Sequence, residues 1–284
     1  GESHGDVVFF SPSMPADPRP AASRASPVGI VSLLSLGVTL ARRGLLATAA
    51  IVIAVATAAV LAVLGIGLAG RGAGAPLHAI PILASSWIAW GGGFLLAFSA
   101  AVRALRRDRA EGLRHLLESR ALGLRGYLVA RIGGLATLLA LVVAGGTLVT
   151  GLASTLAALR VGAALRALQA TAAGFAFAVA FAVVLAPLAF AALGARSRVG
   201  GYFFLIGIMV LPELAASLLA GVLPDGIAEV LAIPSALDTL RSALAPGGFD
   251  PLRLARASVA VAAFAAIATF LVRRDVLLLE AEER

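Results

Sequence analysis

The sequence predicts an all-α membrane protein: an N-terminal interfacial helix, six transmembrane helices, and a short outer amphipathic helix before the last span. Three observations carry this. Apolar residues fill 60% of the 284 positions and charged residues only 13%, against nearer half and a quarter in soluble domains. Mean hydropathy is +0.99. The charges gather between long uncharged runs, as they do where helices cross hydrocarbon. The same numbers argue against a soluble enzyme and a disordered chain. The net charge of +8 would suggest nucleic acid on a soluble protein. Here the arginines sit at the ends of apolar runs, so no nucleic-acid partner is expected and the lipid bilayer is.

Residues 1–27 are polar and rich in proline, and are read as a flexible cytoplasmic tail. Residues 28–280 form the membrane domain, and 281–284 a short cytoplasmic end. Residues 28–43 begin with an uncharged run too short to span, closed by Arg42 and Arg43. Ser32, Ser35, Thr39 and Arg42 share one helical face, which suits a helix lying in the interface. The alternative is a longer, tilted first span starting near Val28.

Six spans follow: Gly44–Ala69, Gly72–Val102, Ile132–Leu159, Ala167–Ala195, Val199–Pro224 and Ala257–Val272. Gly65, Gly67, Gly70, Gly72 and Gly74 either allow close helix packing or, the favoured reading, mark the frayed end of the first span and its turn. Trp87 is expected to pack inside the protein. The last uncharged run is short, but Asp250-Pro251 is a helix start, with Asp as N-cap and Pro at the first helical position. Arg253 and Arg256 would then snorkel to the interface. Within the outer loop 224–255, Ser235 and Asp238 read as an N-cap and an acidic third residue. Leu237, Leu240 and Leu244 give the following helix an apolar stripe, predicted to rest on the outer membrane surface.

Arginine placement sets the orientation. With both termini cytoplasmic, the outer side holds Arg71, Arg160, Arg166, Arg241, Arg253 and Arg256; the other seventeen lie inside. That asymmetry favours this topology strongly.

Several chemistries are excluded. The chain has no cysteine, hence no disulfide, thiolate metal site or cysteine nucleophile. All 23 basic residues are arginine, so an ordinary Walker A site, which needs a lysine at the phosphates, is absent. His4, His78 and His115 form no paired zinc motif, and no catalytic or metal-binding residue is assigned.

The inner loop 103–131 is the informative segment. It carries eight arginines against Asp108, Glu111 and Glu118. Leu113, Leu116 and Leu117 share one helical face, and Glu111, Arg114 and Glu118 another. A loop that only sets topology needs no amphipathic helix; docking a cytoplasmic partner explains one.

With these elements assembled, the chain resembles the permease of type-2 ATP-binding-cassette exporters. The resemblance rests on the interfacial helix, the six spans, and Arg109-Ala110-Glu111-Gly112 followed by Leu116-Leu117. Ser119-Arg120, Tyr127-Leu128-Val129-Ala130-Arg131 and Phe270-Leu271-Val272-Arg273-Arg274-Asp275-Val276 add to it. It covers roughly residues 28–280. The proline usual after the leucine pair is missing, with Ala121-Leu122-Gly123 in its place.

The resemblance implies a multi-pass protein of the bacterial cytoplasmic (inner) membrane that moves a substrate, in the export direction. It also implies a cytoplasmic ATPase subunit on another chain, which binds the ATP and Mg, and a second permease subunit, identical or not. No cofactor is expected on this chain. Arg109, Glu111, Gly112, Arg114, Leu116, Leu117 and Glu118 would then form the ATPase-coupling helix. Arg196 and Arg198, between spans four and five, would be a second contact or serve topology alone. A secondary transporter and a non-transporting scaffold are the competing readings. The former calls for intramembrane carboxylates or an inverted repeat, and Glu213 alone meets that. Glu213 is expected near the outer end of the pathway, either lining it or beyond a helix break at Leu211 caused by Pro212.

Overall fold

One helix organises the molecule. The computed structural model describes residues 27–70, 76–112, 123–219, 222 and 226–281. Its α-helices are α1 Pro27–Ala41, α2 Leu45–Ala69, α3 Ala79–Ile88, α4 Phe94–Ala101, α5 Ala104–Ala110, α6 Leu124–Leu128, α7 Gly134–Leu156, α8 Val161–Leu193, α9 Arg198–Leu219, α10 Ile233–Leu244 and α11 Pro251–Ala281. Wide π-turns at Ala89–Gly93 and Val129–Gly133 join α3 to α4 and α6 to α7. Among the described residues six helices are long and apolar enough to cross a membrane, and none forms a strand. The protein is an all-α, multi-pass membrane protein. From Phe177 to Leu193 nearly every residue of α8 is buried, with α7, α11, α3, α10 and α9 packed around it.

Small residues make this packing possible. On α2 the buried positions are Ala47, Ala50, Ala54, Ala58, Leu61, Gly65 and Ala69, a stripe of helical period. Val52, Val55, Val60 and Val63 point away from the protein and stay exposed. A helix apolar all round but buried on one narrow stripe is what lipid on the other faces requires. Gly65 is no frayed end: α2 runs through it to Ala69, and a Cβ there would press on Ser154 and Ile80. Between α7 and α8 a Cβ at Gly151 would overlap the Thr171 side chain. The buried hydroxyls at this seam each donate to a carbonyl of their own helix: Thr147 to Val143 (2.8 Å), Ser154 to Thr150 (2.8 Å) and Thr171 to Ala167 (2.7 Å). Each of these three donors is therefore met inside the apolar interior.

The element boundaries differ from expectation where helix signals lie inside polar flanks. Span three begins at Leu124, span four at Val161 and the last helix at Pro251. The last start follows the Asp250-Pro251 signal: the Leu252 and Arg253 amides donate to Asp250 Oδ1 at 2.9 and 3.2 Å. Four other expectations are corrected. α9 continues unbroken through Pro212 to Leu219, so no helix end occurs at Leu211. α10 starts at Ile233, two residues before Ser235, whose hydroxyl instead donates back to the Ala232 carbonyl at 3.2 Å. Its leucine stripe meets protein: Leu237 and Leu240 are buried, with α8, α11 and α9 beside the helix. Trp87 is 63% exposed rather than packed inside.

Candidate functional site

The arginine-rich end of the bundle is built around one buried carboxylate. Span two stops at Arg103, which takes the left-handed conformation (φ 54°) and turns the chain sharply into α5. The Arg103 amide donates to the Leu193 carbonyl at 3.0 Å, so this turn is pinned to the end of α8. The turn carries Asp108 inward, where it is 1% exposed. Two groups meet it from the other end of the loop. Tyr127 Oη donates to Asp108 Oδ2 at 2.8 Å. Arg131, 4% exposed, grips both carboxylate oxygens with Nε and a terminal nitrogen.

Tyr127 and Arg131 lie one turn apart, on α6 and the π-turn after it. Asp108 therefore ties the two ends of the loop 103–131 together. A forked arginine on a carboxylate is the strongest common ion-pair geometry. Buried, it is specific rather than cheap, because two charges have left water.

α1 docks onto the same place. Leu33, Gly37 and Leu40 are buried while Ser32, Ser35, Thr39 and Arg42 are exposed, so the polar face read from the sequence is the outward one. At the crossing, backbone meets backbone: a Cβ at Gly37 would overlap the Ala130 carbonyl oxygen, and one at Gly134 would overlap Gly37 itself. α1, the π-turn and the Asp108 brace thus form one packed unit.

The residues predicted for this end fall around the unit. Arg109 is half-buried at the end of α5, Glu111 is exposed, and Gly112 turns the chain with φ 65°. Arg114, Leu116, Leu117 and Glu118 lie outside the described residues. Arg196 stacks its guanidinium on the Phe204 ring, 3.9 Å from the centroid. Ser197 caps α9, accepting the Gly200 amide at its hydroxyl oxygen (3.2 Å). The Arg198 side chain lies outside the described residues. Asp275 is a second buried carboxylate, near the end of α11. Its Oδ1 accepts from Arg274 at 3.2 Å, and its Oδ2 is buried without a hydrogen-bond partner among the described residues.

At the far end, α10 is wedged into the bundle by Arg241. This side chain donates to the Ile82 carbonyl at 3.1 Å and to Ser86 on α3, and pairs with Asp238 on its own helix. It also lies over the Phe177 ring, 5.2 Å from the centroid. Arg253 is paired within the protein. It forks onto Glu229 at 2.8 and 2.9 Å, bridging α11 to the short turn of 3₁₀ helix at Ala228–Val230. Both side chains are about two-fifths exposed, so a double-mutant cycle of Glu229→Gln and Arg253→Gln is expected to return a coupling of only about 0.2–1 kcal/mol in thermal unfolding.

Between these elements lies a cleft of about 470 Å³, lined by Trp90, Glu213, Glu229, Pro234, Ser235, Asp238, Thr239, Ser242 and Arg253. Glu213 therefore faces protein and cleft.

Sequence reading missed the Asp108–Tyr127–Arg131 brace. Tyr127 and Arg131 stood out as a motif, but their partner is separated by a loop that no periodicity crosses. Comparison with family models, curated proteins and solved structures gave no match.

Proposed function

We propose that this chain is the permease subunit of an ATP-binding-cassette exporter, driven by a separate ATPase that docks on the loop 103–131. One observation carries the reading: the two ends of that loop are locked to each other by Asp108, Tyr127 and Arg131, and through Leu193 and Gly37 to α8 and α1. A force applied to the loop reaches spans two, three and four and the interfacial helix at once, because packed cores transmit displacement rather than absorb it. A loop with a purely topogenic role gains nothing from a buried ion pair. The exposed arginines Arg103, Arg106 and Arg107 make the surrounding surface positive, suited to an acidic rim on the partner.

In this reading both termini are cytoplasmic in a bacterial inner membrane, the far end with α10 faces outward, and two permease subunits complete the transporter. Glu213 lines the outer part of the pathway. ATP and Mg belong to the partner.

The test is a leucine pair. Leu116→Asp with Leu117→Asp introduces charge into the apolar contact, which is costly to bury. The expected outcome is loss of cargo-stimulated ATPase turnover and of partner co-purification, with unchanged membrane insertion. Full turnover in this variant refutes the assignment.

A further inference from the structure

The far-end cleft has a chemical character that its lining residues define group by group. Its acidic residues are unequal. Glu229 is neutralised by the two-pronged contact from Arg253. Asp238 is neutralised by Arg241. Glu213 has no ion-pair partner among the described residues, and its Oε2 is buried without a hydrogen bond. Among the described residues that line the cleft, Glu213 is the acid left without a cation.

The hydroxyls point the same way. Ser235 donates its hydrogen to the Ala232 carbonyl (3.2 Å), Thr239 to the Glu229 carbonyl (3.0 Å) and Ser242 to the Thr239 carbonyl (3.0 Å). A hydroxyl has one hydrogen to give. With it spent on the backbone, each oxygen offers the cleft only lone pairs. Glu213 and these three oxygens form a wall that accepts and does not donate.

The remaining large surface is Trp90. It sits in the π-turn Ala89–Gly93, where the helix is widened, and such turns often lie at functional sites. Phe181 packs against it in a T-shaped contact, 5.1 Å between centroids. Trp is the best aromatic partner for a cation, and the attraction grows when the cation is desolvated. An anion would meet the Glu213 carboxylate, and a neutral apolar molecule would leave that carboxylate unanswered. The volume is within the range of small-molecule sites.

We propose that this cleft binds a monovalent organic cation with an apolar body, its charge at Glu213 and its body against Trp90. The proposal names the cargo class for the transporter reading and rests on that reading for its purpose. Binding itself needs no ATPase, so the two fail separately.

The probe pair is tetraphenylphosphonium and tetraphenylborate, which share size and shape and differ in charge. The chain has two tryptophans, and Trp87 is largely exposed. Trp87→Phe therefore leaves Trp90 as the reporter in the full chain, purified in detergent. Tetraphenylphosphonium should change Trp90 emission saturably, and tetraphenylborate should not. Glu213→Gln should weaken the cation about tenfold or more, the scale of a hydrogen bond or contact to a charged group. Equal binding of the two ions to the Trp87→Phe chain overturns the proposal without any further variant. So does a Glu213→Gln chain that binds the cation as well as its parent does. An intact cation response beside failed ATPase pairing leaves the cleft assignment standing and removes the exporter reading.

Discussion

Asp108→Ala is expected to destabilise the purified chain by about 3–5 kcal/mol, because it strands the Arg131 guanidinium in a site shut off from water. Tyr127 loses its acceptor in the same step. The cost of a broken buried pair lies mostly in the charge left behind, so removing that charge as well should recover much of the loss. Asp108→Ala with Arg131→Met should be clearly more stable than Asp108→Ala alone, since Met keeps the apolar bulk without the charge. Thermal unfolding in detergent reads both. If the single and double variants unfold together, the pair contributes nothing and the loop ends are held by something else. In the transporter reading the double variant has a second signature. It folds, yet its loop is no longer tied by a directional contact, so ATP hydrolysis and transport should separate.

The second large effect is at a crossing of backbones. Gly134→Ala should destabilise by about 1–3 kcal/mol, the usual cost of forcing extra volume into a packed contact. The added methyl would overlap Gly37 on α1, where the displaced atoms are backbone and have no rotamer to retreat into. Gly145→Ala is the control on the same helix: nothing lies within 4 Å of its Cβ. It should be neutral or mildly stabilising, because alanine holds a helix better than glycine. Limited proteolysis near Arg42 should report α1 release in the first variant and not the second. Equal stability of the two would show that α1 does not dock on span three.

The contrast between these residues and the spans shows what a sequence exposes. Hydrocarbon imposes its demand on every residue of a helix, so an uncharged run such as Leu45–Ala69 is plain in one dimension. Asp250-Pro251 was equally plain, because a cap acts within three residues. Asp108 was not. Its partners lie 19 and 23 residues away across a loop, and nothing local marks an acid as buried.

α10 failed in a different way. An apolar stripe on a short helix looks the same whether it meets lipid or protein, and Leu237 and Leu240 gave no means to choose. What decided it was Arg241 reaching Ile82 and Ser86, a contact more than 150 residues apart in the chain. Pro212 promised a break and made none. A proline removes one helical hydrogen bond, and small local adjustments within a membrane helix absorb the change; α9 itself is mostly exposed. At the candidate site, Glu213 stood out because it is an acid within a long apolar run. The cleft it faces was invisible, since it is assembled from five separate elements.

The central claim is that a partner ATPase seats on the arginine-rich end. The chain has no cysteine, so single cysteines give unambiguous positions. Glu111→Cys lies exposed in the turn after α5, and Phe249→Cys lies exposed at the opposite end. With a short bifunctional cross-linker in native membranes, position 111 is expected to join a chain carrying the Gly-x-x-x-x-Gly-Lys-Ser/Thr phosphate loop, and position 249 is not. Cross-linking of that ATPase from position 249, or cargo movement by the purified chain with no ATPase present, would contradict the central claim.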